Sequence, residues 1–261
     1  MSRLPAPSKG LGQHFLVDDN IVRVVGRLAE LGPDDTVLEI GPGQGVLTDF
    51  LARNVRLVHA VELDGRLEAH LSERFGAAGN VRLQFADALE LDAALLEPAP
   101  TKLVANLPYN VATPIVVESL DGIPSLMFWC VMVQREVADR FFAQPSTKPY
   151  GAVSVLLQLA TERTGWHPVS REVFRPRPNV DSALVAFRRR GDPPADWRDL
   201  KRLVEAAFAH RRKRLPNSLE LAGFTDRDRA SAALADLGRP ASTRAEELSP
   251  GEFVKLAAAL R

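Results

Sequence analysis

Apolar residues recur at helical spacing over residues 19–30, where Ile21, Val22, Val25 and Leu28 form one face. Thr36-Val37-Leu38-Glu39-Ile40 follows, a short apolar run closed by glycines, the pattern of a buried strand. The alternation then repeats. Helices are predicted over 46–53, 65–75, 112–120 and 134–142, and strands over 55–61, 81–85, 102–105 and 127–133. Strands alternating with helices at this spacing predict an α/β fold, a parallel sheet covered on both faces. Residues 151–160 read as a helix, and 161–169 and 182–188 as strands able to pair antiparallel at a sheet edge. Gly191-Asp192-Pro193-Pro194 breaks the pattern, and only helical periodicity follows. Ser249-Pro250-Gly251-Glu252 is a capping box with proline at the first helical position. A boundary near residue 190 is therefore expected, with a catalytic domain over 1–189 and a small all-α domain over 190–261.

Composition narrows the class. The chain has 261 residues, 46% hydrophobic and 25% charged, which suits a globular protein and excludes a disordered chain, a collagen repeat or a coiled coil. The longest apolar run, 126–133, is too short to cross a membrane, and the N-terminus has no apolar core for a signal peptide. One cysteine, Cys130, allows neither an internal disulfide nor a multi-cysteine zinc site, and no two histidines have ligand spacing. No metal is expected, and a cytoplasmic location is. No long exposed apolar face stands out, so a monomer is expected. Charge is balanced overall, with 33 basic and 33 acidic residues, but unevenly distributed. Residues 1–187 hold 17 basic and 22 acidic residues, a net of −5, whereas 188–261 hold 16 and 11, a net of +5. The second segment is the one suited to an anionic partner.

Glu39-Ile40-Gly41-Pro42-Gly43-Gln44-Gly45 ends the first strand and opens a helix. Glycines there let the chain turn sharply and a ligand approach the backbone. Ligands of such sheets bind outside the carboxyl ends of the strands. Glu62 ends the next strand, where a carboxylate accepts hydrogen bonds from both hydroxyls of a ribose; Asp87 ends the third, placed to accept from an adenine amino group. The loop lacks the G-x-G-x-x-G spacing of a dinucleotide site and the lysine of a P-loop. It is similar to the loop of Rossmann-like S-adenosylmethionine-dependent methyltransferases; taken alone, it is also compatible with a plain tight turn.

Asn106-Leu107-Pro108-Tyr109 follows the fourth strand. An exocyclic amine is a poor nucleophile because its lone pair is delocalised into the base. Acceptors that hold both amine hydrogens favour a tetrahedral nitrogen. The Asn106 side-chain oxygen and the Leu107 carbonyl suit that task, Pro108 stiffens the turn, and Tyr109 offers a ring on which a flipped-out base stacks. No strong base is required, since the methylated amine becomes acidic and loses its proton to water or a carbonyl.

These motifs occur in one order with others: Gly12-Gln13-His14-Phe15-Leu16, Val61-Glu62-Leu63-Asp64, Asp87-Ala88, Phe174-Arg175-Pro176-Arg177-Pro178-Asn179-Val180-Asp181-Ser182, and Arg211-Arg212-Lys213-Arg214. The set resembles the ribosomal RNA adenine N6,N6-dimethyltransferases, in particular the bacterial small-subunit (16S) branch, over about residues 10–219. The resemblance implies a Rossmann-like methyltransferase sheet with a helical RNA-binding domain. It implies S-adenosyl-L-methionine as cofactor, touched by Gln13, His14 and Leu16 from an N-terminal flap, by Gly41 and Gly43 through backbone, and by Glu62 with Leu63, Asp87 with Ala88, and Asn106. Catalysis would fall to Asn106, Leu107, Pro108 and Tyr109, with Phe174 stacking on the target adenine opposite Tyr109. The implied partner is 16S rRNA in the small (30S) ribosomal subunit. The reaction would dimethylate two adjacent adenosines near the RNA 3′ end, with a part in subunit assembly. His14 departs from the asparagine frequent in the family. Arg211, Arg212, Lys213 and Arg214 would contact phosphate, a solvated helix end being the plainer reading. Two other functions compete: a resistance-type enzyme acting on large-subunit RNA, and a non-catalytic assembly factor.

Overall fold

The computed structural model describes residues 5–8, 10–191 and 196–261; Asp192-Pro193-Pro194 of the expected break lie outside them. The chain forms two compact units, Met1–Ala138 with Arg163–Arg189, and Asp139–Glu162 with Arg190–Arg261.

In the first unit a two-residue strand, β1 (Phe15–Leu16), precedes α1 (Asp19–Leu28). The Asp18 carboxylate caps α1 by accepting from the backbone of Asn20 and Ile21. β2 (Thr36–Ile40), α2 (Val46–Asn54), β3 (Leu57–Glu62), α3 (Glu68–Phe75), β4 (Val81–Phe85), β5 (Lys102–Asn106), α4 (Ala112–Gly122) and β6 (Phe128–Gln134) follow. α5 (Arg135–Phe141) and then α6 (Ala152–Ala160), which belongs to the second unit, lead to β7 (Thr161–Val169), β8 (Phe174–Arg175) and β9 (Ser182–Arg189). The main sheet runs β4-β3-β2-β5-β6-β9-β7. Strands β2 to β6 pair in parallel, while β9 runs antiparallel to β6, with Trp129 opposite Phe187. The sheet is therefore mixed, and β9 and β7 are neighbours at its edge as expected, with β7 outermost and β9 against β6. Every residue of β2 and β3 is buried, which accounts for their near-continuous apolar runs. Strand order reverses at β2, whose neighbours are β3 and β5. A crevice opens beyond the carboxyl ends of strands at such a reversal.

A second, two-stranded sheet escapes the sequence patterns. β1 pairs antiparallel with β8, Leu16 opposite Phe174, across a span too short to show periodicity.

The second unit contains α6, then α7 (Trp197–Ala209), α8 (Leu215–Leu221), α9 (Arg227–Asp236) and α10 (Pro250–Ala259). Residues 139–162, assigned from sequence to the first domain, cluster with these helices. α6 is apolar around most of its circumference, burying Val153, Val155, Leu156, Leu157 and Ala160, and it packs on α7 and α10. The Tyr150 hydroxyl donates to the Leu248 carbonyl at 2.8 Å, and its ring stands edge-on to Phe208. Ser249 and Glu252 form the expected capping box of α10. Among the described residues no helix is long and apolar enough to cross a membrane.

Candidate active site

The chain leaves β2 through three glycines with positive φ. Gly43 has a φ of +58°, and a Cβ there would lie 2.8 Å from the Phe15 ring. Only glycine satisfies both conditions. The turn directs the Gly43 N–H to Glu62 Oε2 at 3.0 Å, and the Asp64 N–H meets Glu62 Oε1 at 2.9 Å. Each carboxylate oxygen keeps a lone pair for a further donor. Burial raises the pKa of Glu62, its hydrogen bonds from Asp64 and Gly43 lower it, and the Asp64 charge raises it again.

Glu39, one strand away, is 1% exposed, and its Oε2 has no hydrogen-bond partner. Its carboxyl is pushed up to about 8, chiefly by burial, with the Thr48 hydroxyl opposing and the nearby Glu62 reinforcing. A positive charge entering this cavity would favour the ionised form of both carboxyls, which burial otherwise disfavours.

The N-terminal segment closes over this floor. Gln13 donates from Nε2 to Asp64 Oδ2 and accepts the Ser8 N–H, both at 2.8 Å. Asp64 also receives the Arg66 side chain, which, followed by the Gln13 bond, holds its carboxyl down at about 2 against the opposing effect of burial. His14 donates from Nδ1 to the Pro176 carbonyl at 2.7 Å.

β5 delivers the second wall. The Leu107 N–H donates to the Met132 carbonyl, and the Val111 N–H to that of Pro108, so a short turn follows Asn106. Asn106 Nδ2 donates to the His14 carbonyl at 3.0 Å. Because a carbonyl only accepts, this bond fixes which end of the amide is nitrogen. Asn106 Oδ1 is left buried without a partner. Tyr109 lies against the His14 ring, centroids 5.2 Å apart, and shares a 2.6 Å hydrogen bond with Ser182 Oγ. Burial raises its phenol pKa.

One cavity joins these groups. It encloses about 840 Å3 of empty space, open mouth included. Of the residues singled out from sequence, it is lined by Gln13, His14, Leu16, Gly41, Gly43, Glu62, Leu63, Asn106, Leu107, Pro108 and Tyr109. Glu39 also lines it, although sequence reasoning noted that residue only as part of the loop. Its signal was an acid inside an otherwise apolar strand.

Three expected site residues lie elsewhere. Asp87 and Ala88 follow β4 without lining the cavity, and Asp87 Oδ1 accepts the Leu89 N–H at 2.9 Å in a local turn. Phe174 is fully buried in the core with Leu16 and Val25. It does not line the cavity, and it pairs with Leu16 across the β1–β8 ladder. In the second unit, Arg212, Lys213 and Arg214 are exposed, whereas Arg211 is held by Glu246 at 2.9 Å and by the Lys148 carbonyl at 2.7 Å.

Comparison with known proteins settles the family. The sequence matches the family described as "Ribosomal RNA adenine dimethylase" over residues 7–260. The chain belongs to this family. It is 52% identical to ribosomal RNA small subunit methyltransferase A of Rubrobacter xylanophilus, over 97% of this chain and 95% of that protein. The protein of the same name from Thermobifida fusca is 44% identical, over 96% and 89%. Among solved structures, the 23S rRNA methyltransferase ErmE superposes with a TM-score of 0.65 at 30% identity, over 94% of this chain and 99% of that one. A dimethyladenosine transferase from Plasmodium falciparum has the same fold, with a TM-score of 0.76 at 22% identity, over 93% and 96%. The family's reaction is S-adenosylmethionine-dependent methylation of rRNA adenine, and the site fits that cofactor. The unpartnered Glu39 Oε2 and the two raised carboxyls suit its positive charge, and the Gly43 turn leaves space that a Cβ would fill.

Proposed function

We propose that this chain dimethylates the N6 amines of two adjacent adenosines near the 3′ end of 16S rRNA, within the small ribosomal subunit. S-adenosylmethionine, when bound, supplies an electrophilic methyl group. Glu62 holds the ribose hydroxyls, Gly41 and Gly43 present backbone, Leu63 gives an apolar contact, and Glu39 offers its open oxygen to the cationic end. Gln13, His14 and Leu16 cover the cofactor from the N-terminal segment.

On the other wall, Asn106 Oδ1 and the Leu107 carbonyl accept the two N6 hydrogens. This draws the amine lone pair out of conjugation and toward the methyl group. Tyr109 supplies the stacking face, and Pro108 restricts the turn. The amide is neutral, so it orients the amine without taking a proton to form a charge; the proton leaves after transfer. A second transfer to the same nitrogen requires the monomethyl amine to fit the same two acceptors with one hydrogen fewer.

The observation that carries this reading is Asn106 itself. Its donor is committed to His14, and its acceptor is unpaired at the end of β5, in the cavity that contains Glu39 and Glu62. Asp87 and Ala88, which follow β4 and do not line the cavity, are proposed to meet the adenine edge of the cofactor only when it is bound. Phe174 is proposed to anchor the N-terminal segment through β8 rather than to stack. Arg212, Lys213 and Arg214 would bind phosphate, in a helical unit whose described residues include no strand after Arg190. One compact unit lines the whole cavity, in keeping with a monomer working on ribosomal particles in the cytoplasm.

A large-subunit substrate is the competing reading, supported by the likeness to ErmE. The 52% and 44% identities to small-subunit enzymes, against 30%, favour the first. The test is methyl transfer from labelled S-adenosylmethionine to small subunits lacking the modification, with large subunits as control and digestion to nucleosides. Dimethyladenosine on small subunits, near four methyls per particle, is expected. Label confined to large subunits would overturn the assignment.

A further inference from the structure

We propose that Ser182 is a positioning residue for methyl transfer, acting through the Tyr109 hydroxyl to hold the ring at the angle a target base needs. The inference rests on the reading of Tyr109 as the stacking face. Tyr109 lies on the turn after β5, outside any helix or strand. Its ring would be free to swing about two side-chain torsions unless something held its tip. Two contacts do so. The His14 ring leans on it at an interplanar angle of 30°, and Ser182 Oγ lies 2.6 Å from its hydroxyl.

Ser182 is well built for an anchor. It is the first residue of β9, paired opposite Gln134 of β6, and fully buried. Its backbone is therefore fixed by the main sheet, and the anchor point lies 73 residues from the tyrosine along the chain. A ring pinned at its tip to a central strand presents one face in one orientation before a base arrives. Orienting a reactant in advance lowers the barrier to reaction more than it tightens binding. The hydroxyl of Ser182 reaches neither amine nor methyl group in this scheme; its effect passes through the tyrosine alone.

Ser182→Ala, Tyr109→Phe and the double variant test the proposal, with Ser182→Thr as the conservative replacement. Rates are scaled to the concentration of cofactor-binding sites, so that a merely less stable enzyme shows an undiminished turnover per site. Ser182→Ala and Tyr109→Phe should each lower kcat about tenfold, with KM for S-adenosylmethionine unchanged within about twofold. The double variant should be no slower than either single one, because all three lack the same hydrogen bond. Ser182→Thr should restore most of the rate. Multiplying losses in the double variant, or a wild-type rate in both single variants, would overturn the proposal. Tyr109→Phe removes the bond from the other side, so it remains decisive if Ser182→Ala does not fold. Tyr109→Ala separates the two readings. A severe loss there beside wild-type rates for Ser182→Ala and Tyr109→Phe would reject Ser182 alone, whereas an undiminished rate would reject the stacking face itself.

Discussion

The two walls of the cavity both keep hydrogen-bond acceptors in reserve, by different means. Beyond β2 and β3 the acceptors are carboxyl groups, both raised chiefly by burial, and the Glu62 charge makes Glu39 harder still to ionise. Beyond β5 the acceptor is a neutral amide whose nitrogen is already bound to His14. The first wall favours a ligand that brings positive charge. The second holds an uncharged amine without pulling its proton away. The difference teaches that one cavity can serve a cationic donor and a neutral acceptor when charge is confined to one side.

Removing the neutral acceptor should have the largest effect. Asn106→Ala is expected to reduce methyl transfer at least about 1,000-fold, while equilibrium binding of small subunits changes little. Parallel loss of subunit binding would show that Asn106 holds the RNA rather than activating the amine.

Gly43→Ala attacks the charged wall. A side chain at φ +58°, 2.8 Å from Phe15, must distort the turn and withdraw an N–H from Glu62. Calorimetry should show cofactor affinity weakened at least about tenfold, roughly 1.4 kcal/mol. Unchanged affinity would place the cofactor away from this turn.

Glu39 gives the comparison a pH signature. Its pKa is raised from 4.5 to about 8 in the folded protein, so its contribution to stability is complete below 4.5 and is lost as pH rises through 8. Glu39→Gln stays neutral. The ligand-free wild type should therefore lose stability relative to the variant across that window, by a few kcal/mol at about 1.4 kcal/mol per pH unit. Thermal melts from pH 5 to 9 check the sign, and parallel profiles would mean that Glu39 is ionised throughout. S-adenosylmethionine should narrow the gap, because its charge favours the ionised form.

The smallest effect belongs to the basic cluster, outside the cavity. Neutralising Arg212, Lys213 and Arg214 together should flatten the salt dependence of RNA binding by up to about 2 in log–log slope, at about 0.7 per phosphate released. Arg211→Ala should leave that slope unchanged and cost at most about 1 kcal/mol of stability, since its guanidinium already serves Glu246 in a half-exposed pair. Equal slopes for all variants would reduce the cluster to a solvated surface.

Much of the fold was legible because local chemistry repeats along the chain. β2, β4 and the cores of α1 to α6 fall where periodicity put them, and the Ser249–Glu252 cap opens α10 as read. The glycine loop and Asn106-Leu107-Pro108-Tyr109 were legible because each is contiguous and sits at a strand end. The burial of Phe174 was not legible, because its motif carries no sign of which way the ring turns; its short strand pairs with β1. The place of β9 between β6 and β7 was equally hidden, since strand order is set by contacts between whole faces.

The sequence by itself determined the class of fold, the family, and most of the residues that line the cavity, because hydrophobic period, turn chemistry and motif order are properties of neighbours in the chain. Tertiary structure alone decided that residues 139–162 join the helical unit, that Glu39 keeps an unpaired oxygen, that Arg211 is spent on Glu246, and that Ser182 meets Tyr109. Those outcomes depend on burial and on hydrogen bonds between residues far apart in sequence. Such contacts exist only where the tertiary fold brings distant segments together.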